Sequence, residues 1–128
     1  MKKRVLVVDN DISIRVLCTE ALSMAGYTVD RASNGGEALR NLGWIQYDLV
    51  ISDVEMPVLD GIGLYNNILK DHSYLKDRVI FITGSVTEDK LSALEHMKQR
   101  YLIKPFKISH LLDMAEEVLK DRPETALS

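Results

Sequence analysis

The sequence predicts a three-layer α/β fold, in which helices cover both faces of a central parallel sheet. Two observations lead to this prediction. Five short strand-like runs alternate with five longer amphipathic segments along the 128 residues, and the first, third and fourth of these runs are apolar at every position. A strand that is apolar on both faces is typical of the interior of a parallel sheet. Regular alternation of strands and helices favours right-handed crossovers that place helices on both sides.

The first two strand–helix units are predicted in the N-terminal third of the chain. The run Val5–Val8 is a buried strand, and Asp11 or Ser13 can cap the helix that follows it. That helix carries apolar residues at helical spacing and stops at Gly26. The second unit pairs a strand over Tyr27–Ala32 with a short helix over Gly36–Leu42.

Three further units complete the pattern. Their strands are predicted at Leu49–Ile51, Val79–Ile82 and Tyr101–Ile103. The intervening apolar residues predict a third helix capped by Asp60, a fourth near residues 91–97 and a fifth from about residue 108 to 119. A doubly wound sheet of order 2-1-3-4-5, which is the flavodoxin-like arrangement, fits this pattern. We therefore expect one domain over residues 1–121 and a flexible tail over residues 122–128.

Composition and charge exclude several classes of function. The net charge is −3, so no global basic character favours a nucleic-acid partner, and no apolar stretch approaches a membrane span. The single cysteine, Cys18, falls at an apolar helical position and is predicted to be a buried free thiol. Together these features favour a cytoplasmic protein.

The chemistry-bearing residues follow the predicted strands, at their carboxyl ends. Asp9, Asp53, Thr83 and Lys104 end the first, third, fourth and fifth strands, so the predicted sheet brings them to one edge. Two adjacent carboxylates repel each other, and a divalent cation such as Mg²⁺ or Mn²⁺ relieves that repulsion. A carboxylate beside such a cation is also a nucleophile toward phosphoryl groups, whose charge needs cations and hydrogen-bond donors.

Four segments give the chain a resemblance to bacterial response-regulator receiver domains from about Lys3 to Lys120. They read VLVVDND, DLVISDVEMPVLDG, VIFITG and YLIKPF. The resemblance implies that Asp53 accepts a phosphoryl group from a histidine kinase in a Mg²⁺-dependent step, and that the domain assists its own phosphorylation and dephosphorylation without being an enzyme. It further implies a cis Lys104-Pro105 bond and metal ligation by Asp9, Asp53 and the main-chain carbonyl of Glu55. In the family, residues at the positions of Thr83 and Lys104 contact the phosphoryl group, and an aromatic at the position of Tyr101 switches with Thr83.

The output implied by this resemblance is a protein effector that binds the face of the fourth helix, fifth strand and fifth helix. We expect a stand-alone domain with no nucleic-acid or membrane partner, because no DNA-binding module follows residue 120.

Two departures from the family pattern leave alternatives open. Asn10 replaces a second acidic residue, so it would hold the metal weakly or through water, and the side chain of Glu55 could compensate. Weak metal binding would also suit a phosphorylation-independent binding module; a Mg²⁺ phosphatase and a flavin-binding protein are further alternatives. The second departure is the stretch His96–Gln99, which replaces a small turn and predicts a longer fourth helix.

Overall fold

The computed structural model describes residues 2–84 and 87–120. A single parallel sheet of order β2-β1-β3-β4-β5 forms its centre, as the sequence predicted. The strands are β1 (Arg4–Val8), β2 (Thr28–Ala32), β3 (Leu49–Asp53), β4 (Val79–Thr83) and β5 (Arg100–Ile103). The helices are α1 (Ile12–Met24), α2 (Gly35–Trp44), α3 (Gly61–Asp71), α4 (Glu88–His96) and α5 (Ile108–Leu119), with a short 3₁₀ turn at Ser73–Leu75.

Alternate residues of the central strands feed two separate hydrophobic cores. On one face, residues such as Val5, Leu49 and Ile80 pack with apolar residues of α1 and α5. On the other face, Leu6, Val50 and Phe81 and their neighbours pack with residues of α2, α3 and α4. Every residue of β3 and β4 is buried, and the parts of these strands before their polar ends, Leu49–Ile51 and Val79–Ile82, are apolar throughout, as expected for the interior of a parallel sheet.

Side-chain caps mark the starts of α1 and α3. Asp11 and Asp60 accept hydrogen bonds from the backbone N–H groups of Ser13 and Gly63, which confirms both as caps. Because each cap stands a few residues after a strand end, it also fixes the path of the loop that carries the strand-end residues. These local hydrogen bonds therefore help to position the loops that follow β1 and β3.

Several element boundaries differ from the predicted ones. The second helix extends from Gly35 to Trp44, longer than its apolar stripe indicated, because Asn34 caps it through the N–H of Glu37. The prediction of a longer fourth helix is wrong: α4 ends at His96, and Lys98 adopts a positive φ of 57° that turns the chain into β5. The predicted tail over residues 122–128 lies outside the described residues.

None of the helices in the described part of the chain has the length and apolar character that a membrane span requires.

Gly61 begins α3 at a point where its backbone touches the end of β3. A Cβ atom at this position would lie 2.4 Å from the carbonyl oxygen of Asp53 and 2.9 Å from the Cα of Val54. Both contacts are with backbone, which cannot rotate away as a side chain can.

We therefore expect Gly61→Ala to lower the free energy of unfolding by about 2 kcal/mol, since overpacking a dense site forces backbone shifts. Urea denaturation would measure the loss. Gly43 gives a matched control, because a Cβ there meets nothing within 4 Å. Equal stabilities for the two alanine variants would show that the β3–α3 junction tolerates the extra atom.

Candidate functional site

The carboxyl edge of the sheet gathers the acidic, hydroxyl and ammonium groups that the sequence placed there. The register pairs Val8 with Ser52 across β1 and β3, and it pairs Asp53 with Ile82 across β3 and β4. Asp9, the residue after β1, therefore lies beside Asp53. Asp9, Asp53 and Thr83 are 1%, 3% and 0% exposed, so these polar groups are withdrawn from water.

Lys104 supplies the positive charge between the two aspartates. Its Nζ lies 3.2 Å from Oδ2 of Asp9 and 3.4 Å from Oδ2 of Asp53. The Lys104 backbone N–H donates to the carbonyl of Thr83, which holds the start of the next loop against the end of β4. The bond between Lys104 and Pro105 is cis, as the resemblance implied.

One oxygen of Asp9 is left without a well-aligned hydrogen bond. Oδ1 accepts from the N–H of Asp11 at 2.8 Å, whereas Oδ2 is fully buried and has no hydrogen-bond partner. Lys104 is close to Oδ2 at 3.2 Å, but this contact is an ion pair without hydrogen-bond alignment. Burying a carboxylate oxygen without full hydrogen bonding costs free energy, and a bound cation would remove that cost.

Asp53 is held in an environment that disfavours its charge. Burial, and after it the neighbouring charge of Asp9, raise its pKa from 3.8 to about 6, against the opposing effects of Lys104 and the N–H of Glu55. That N–H donates to Oδ1 of Asp53 at 3.3 Å. Carboxylates with a pKa raised in this way are common in functional sites.

The donor set fits a hard divalent cation. No group of three or more His, Cys, Asp or Glu side chains capable of holding a metal occurs in the described part of the chain. Mg²⁺ does not need such a group, because it binds through one or two carboxylates and completes its octahedron with water and phosphate oxygens. The unsatisfied oxygen of Asp9 and the adjacent carboxylate of Asp53 meet that requirement. Asn10 lies exposed beside them.

The side chain of Glu55 turns away from the two aspartates. Its carboxylate accepts hydrogen bonds from the hydroxyl of Thr83, the N–H of Gly84 and Nζ of Lys90. Burial alone would raise the pKa of Glu55, but these donors, Lys90 first among them, leave it lowered overall. The hypothesis that Glu55 leans toward the metal is therefore not supported.

Arg15 and Tyr101 lie near the site. The guanidinium of Arg15 donates to the main-chain carbonyl of Asp9 at 2.7 Å, which fixes the loop between β1 and α1. Tyr101 is half-buried and packs against the core cluster that includes Phe81 and Leu94. A switching role for Tyr101 stays a prediction. Lys90, which is the partner of Glu55, was not predicted, because nothing in its sequence surroundings marks it.

The loop after Asp53 contains a strained residue. Val58 adopts a φ of 71°, a left-handed conformation in which a β-branched side chain is crowded, and it is 88% exposed. Because Val58 is so exposed, replacing its side chain loses little packing.

We expect Val58→Gly to raise the free energy of unfolding by up to about 1 kcal/mol, since relief of strain exceeds the extra entropy of glycine in the unfolded chain. Thermal denaturation would measure this gain. Leu59, the next residue, is not at positive φ, so Leu59→Gly should be destabilising; a loss of stability in Val58→Gly as well would contradict the prediction.

Comparison with known proteins finds one matching family. The profile of the response regulator receiver domain family matches residues 5–116. The transcriptional regulatory protein PrrA of Mycobacterium leprae is 34% identical over 125 residues, covering 98% of this chain and 53% of that protein. A probable transcriptional regulator, ycf27, of Guillardia theta is 38% identical over 129 residues, covering 99% of this chain and 49% of that protein. The chain thus spans about half the length of these curated relatives.

Solved structures share the whole fold. The chemotaxis protein CheY4 of Vibrio cholerae is 32% identical with a TM-score of 0.83, and the match covers 93% of this chain and 100% of that one. The response regulator TrrA of Thermotoga maritima, solved in complex with Mg²⁺ and BeF, is 35% identical with a TM-score of 0.79, covering 91% and 99% of the two chains.

Proposed function

We propose, from the premise that this chain belongs to the response regulator receiver domain family of two-component signalling, that it accepts a phosphoryl group on Asp53. The observation that carries the proposal is the pair of buried carboxylates, Asp9 and Asp53, beside the ammonium of Lys104, with one unsatisfied oxygen on Asp9. Family membership favours this function over a phosphorylation-independent binding module, a phosphatase or a flavin-binding protein.

The proposed transfer moves one phosphoryl group from nitrogen to oxygen. An Oδ atom of Asp53 attacks the phosphorus of a phosphohistidine on a histidine kinase. The P–O bond forms as the P–N bond breaks, and the imidazole nitrogen leaves with the electron pair and takes a proton from solvent. Lys104 lies within ion-pair distance of both aspartates, so its ammonium can compensate charge on the phosphoryl oxygens as the transfer proceeds.

Asp9, Asp53 and the main-chain carbonyl of Glu55 would hold the metal, with Asn10 contributing weakly or through water. When bound, Mg²⁺ neutralises the charge that collects on the phosphoryl oxygens and the two carboxylates. We propose that the same residues support self-catalysed phosphorylation by small donors and the later hydrolysis of the acyl phosphate.

The output is a protein-binding surface on α4, β5 and α5. The hydroxyl of Thr83 would move to the phosphoryl group and leave space for Tyr101 to turn inward. Such a change is a population shift, in which the new charge stabilises one of two arrangements. We propose a histidine kinase as the phosphodonor and a protein as the effector.

Acetyl phosphate tests the proposal directly. We expect the intact mass of the protein to rise by one phosphoryl group when acetyl phosphate and Mg²⁺ are both present, and to stay unchanged when the metal is chelated. Asp53→Asn should show no increase. Asp60→Asn is the matched control, because Asp60 caps α3 and should leave the mass gain intact. An equal gain in wild type and Asp53→Asn would place the modification elsewhere.

A further inference from the structure

The carboxylate of Glu55 is bound by the type of donors that a phosphoryl group on Asp53 would need. Oγ1 of Thr83 lies 2.9 Å from Oε2 and 3.1 Å from Oε1 of Glu55. The N–H of Gly84 donates to Oε1 at 3.0 Å, and Nζ of Lys90 donates to Oε2 at 3.0 Å. A hydroxyl, a backbone amide and an ammonium thus donate to the carboxylate of Glu55, which is part of the protein and not a bound ligand.

A hydroxyl has a single proton and cannot fully serve two acceptors at once. When Thr83 donates to Glu55, that proton is unavailable to an oxygen of a phosphoryl group on Asp53. Glu55 follows Asp53 by two residues, so both acceptors lie at the same end of β3 and can reach the same donor. The two anions also repel each other, so occupancy by one disfavours the other.

We infer that Glu55 is an internal competitor of the phosphoryl group for the Thr83 hydroxyl, and that Lys90 holds it in place. This inference rests on the proposed phosphorylation of Asp53. It makes Glu55 a positioning residue that stabilises the unphosphorylated arrangement, and the phosphoryl group must displace its carboxylate before Thr83 can turn.

Lys90 extends the competition to the output surface. It lies in the first turn of α4, and its ion pair with Glu55 joins that helix to the loop after Asp53. Both side chains are 35% exposed, so the pair contributes little to overall stability. The ion pair instead affects the position of α4, because displacement of Glu55 removes a contact that restrains the start of this helix.

The affinity for a phosphoryl mimic tests the competition. Beryllium fluoride would be titrated into the full chain at saturating Mg²⁺, with calorimetry as the measurement. Glu55→Ala removes the competing acceptor, so we expect beryllium fluoride to bind about tenfold more tightly, the equivalent of one hydrogen bond to a charged group. Glu88→Gln removes an exposed negative charge from the same end of α4 and should change the affinity less than about twofold.

Lys90→Met distinguishes the proposed competition by Glu55 from long-range electrostatic attraction of the anion by Lys90. Removing a nearby lysine should weaken the binding of an anion if only long-range electrostatics act. If Lys90 holds the competitor in place, the same substitution should tighten binding, by about two- to fivefold. Lys70→Met, at an exposed position in α3, is the matched control and should leave the affinity unchanged. Weaker binding by Lys90→Met, or no tightening by Glu55→Ala beyond Glu88→Gln, would overturn the inference.

A measurement without metal or mimic completes the test. The Gly84 amide proton should resonate upfield of its wild-type position in Glu55→Ala, because its carboxylate acceptor is lost, and should not move in Glu88→Gln. An unmoved Gly84 resonance in Glu55→Ala would also overturn the inference. If the wild type shows no Asp53-dependent binding of beryllium fluoride, the proposed function itself fails. Binding that depends on Asp53 but is indifferent to Glu55 and Lys90 refutes the competition alone.

Discussion

Lys104→Met should lower the free energy of unfolding by about 3 kcal/mol at pH 7.5, because it leaves two buried carboxylates facing each other without a cation. Asp9 and Asp53 are 1% and 3% exposed, and Nζ of Lys104 is within 3.4 Å of each. Methionine keeps most of the packing of the lysine chain, so the loss reports the charge. Urea denaturation at fixed pH is the measurement.

The size of this effect should depend on pH in a defined direction. Without Lys104, the pKa of Asp53 rises further, since Lys104 is one of the groups that lower it. Below that pKa, Asp53 is protonated and the repulsion disappears. The difference between wild type and Lys104→Met should therefore shrink as the pH falls from 7.5 to 5. A constant difference across this range would show that Lys104 contributes through packing.

Magnesium should restore part of the stability that Lys104→Met loses, because ligands that bind the folded state stabilise it by mass action. Lys70→Met controls for the loss of a surface lysine and should stay within about 0.5 kcal/mol of wild type. A loss in Lys70→Met as large as that in Lys104→Met would mean that net charge, and not the buried site, determines the effect.

The sequence was sufficient to predict the fold and the gathering of Asp9, Asp53, Thr83 and Lys104. Strand runs that are apolar throughout indicate burial on both faces, and parallel strands must bring their carboxyl ends to one edge. These are backbone properties, and they do not depend on which rotamer any side chain adopts. The sequence also predicted Asp60 as a cap and offered Asp11 or Ser13 for the first helix, of which the structure shows Asp11, because capping depends on residues close in sequence.

What the sequence could not predict depends on contacts between distant residues. The direction of the Glu55 side chain is set by Thr83, Gly84 and Lys90, which follow it by 28 to 35 positions. The end of α4 at His96 likewise depends on the turn at Lys98, a residue type that rarely adopts positive φ. Local pattern carries no information about either choice.

Asp53→Asn should raise the free energy of unfolding by about 2 to 3 kcal/mol at pH 7.5 without metal. The folded-state pKa of Asp53 is about 6 against an ordinary 3.8, because burial and Asp9 disfavour its charge. Between those values the folded chain retains a proton that the unfolded chain releases. The stability of the wild type therefore falls as pH rises through this window, and above about pH 6 the whole cost is present, at 1.36 kcal/mol per pKa unit.

Asparagine carries no charge, so the variant should not incur that cost. The gain from Asp53→Asn should be near zero below about pH 4, grow through the window and level off above pH 6. Urea denaturation of both proteins across this range would give the difference, in which the titration of all other carboxylates cancels. Asp60→Asn, at an exposed cap, should show no such rise.

Magnesium should reverse the order of stability of the two proteins. It should stabilise the wild type and leave Asp53→Asn nearly unaffected, because the variant lacks one of the two carboxylates that we propose hold the cation. A wild type that is more stable than Asp53→Asn at pH 7.5 in the absence of metal would mean that Lys104 outweighs burial and Asp9 together, and the predicted conflict of charges would then not exist.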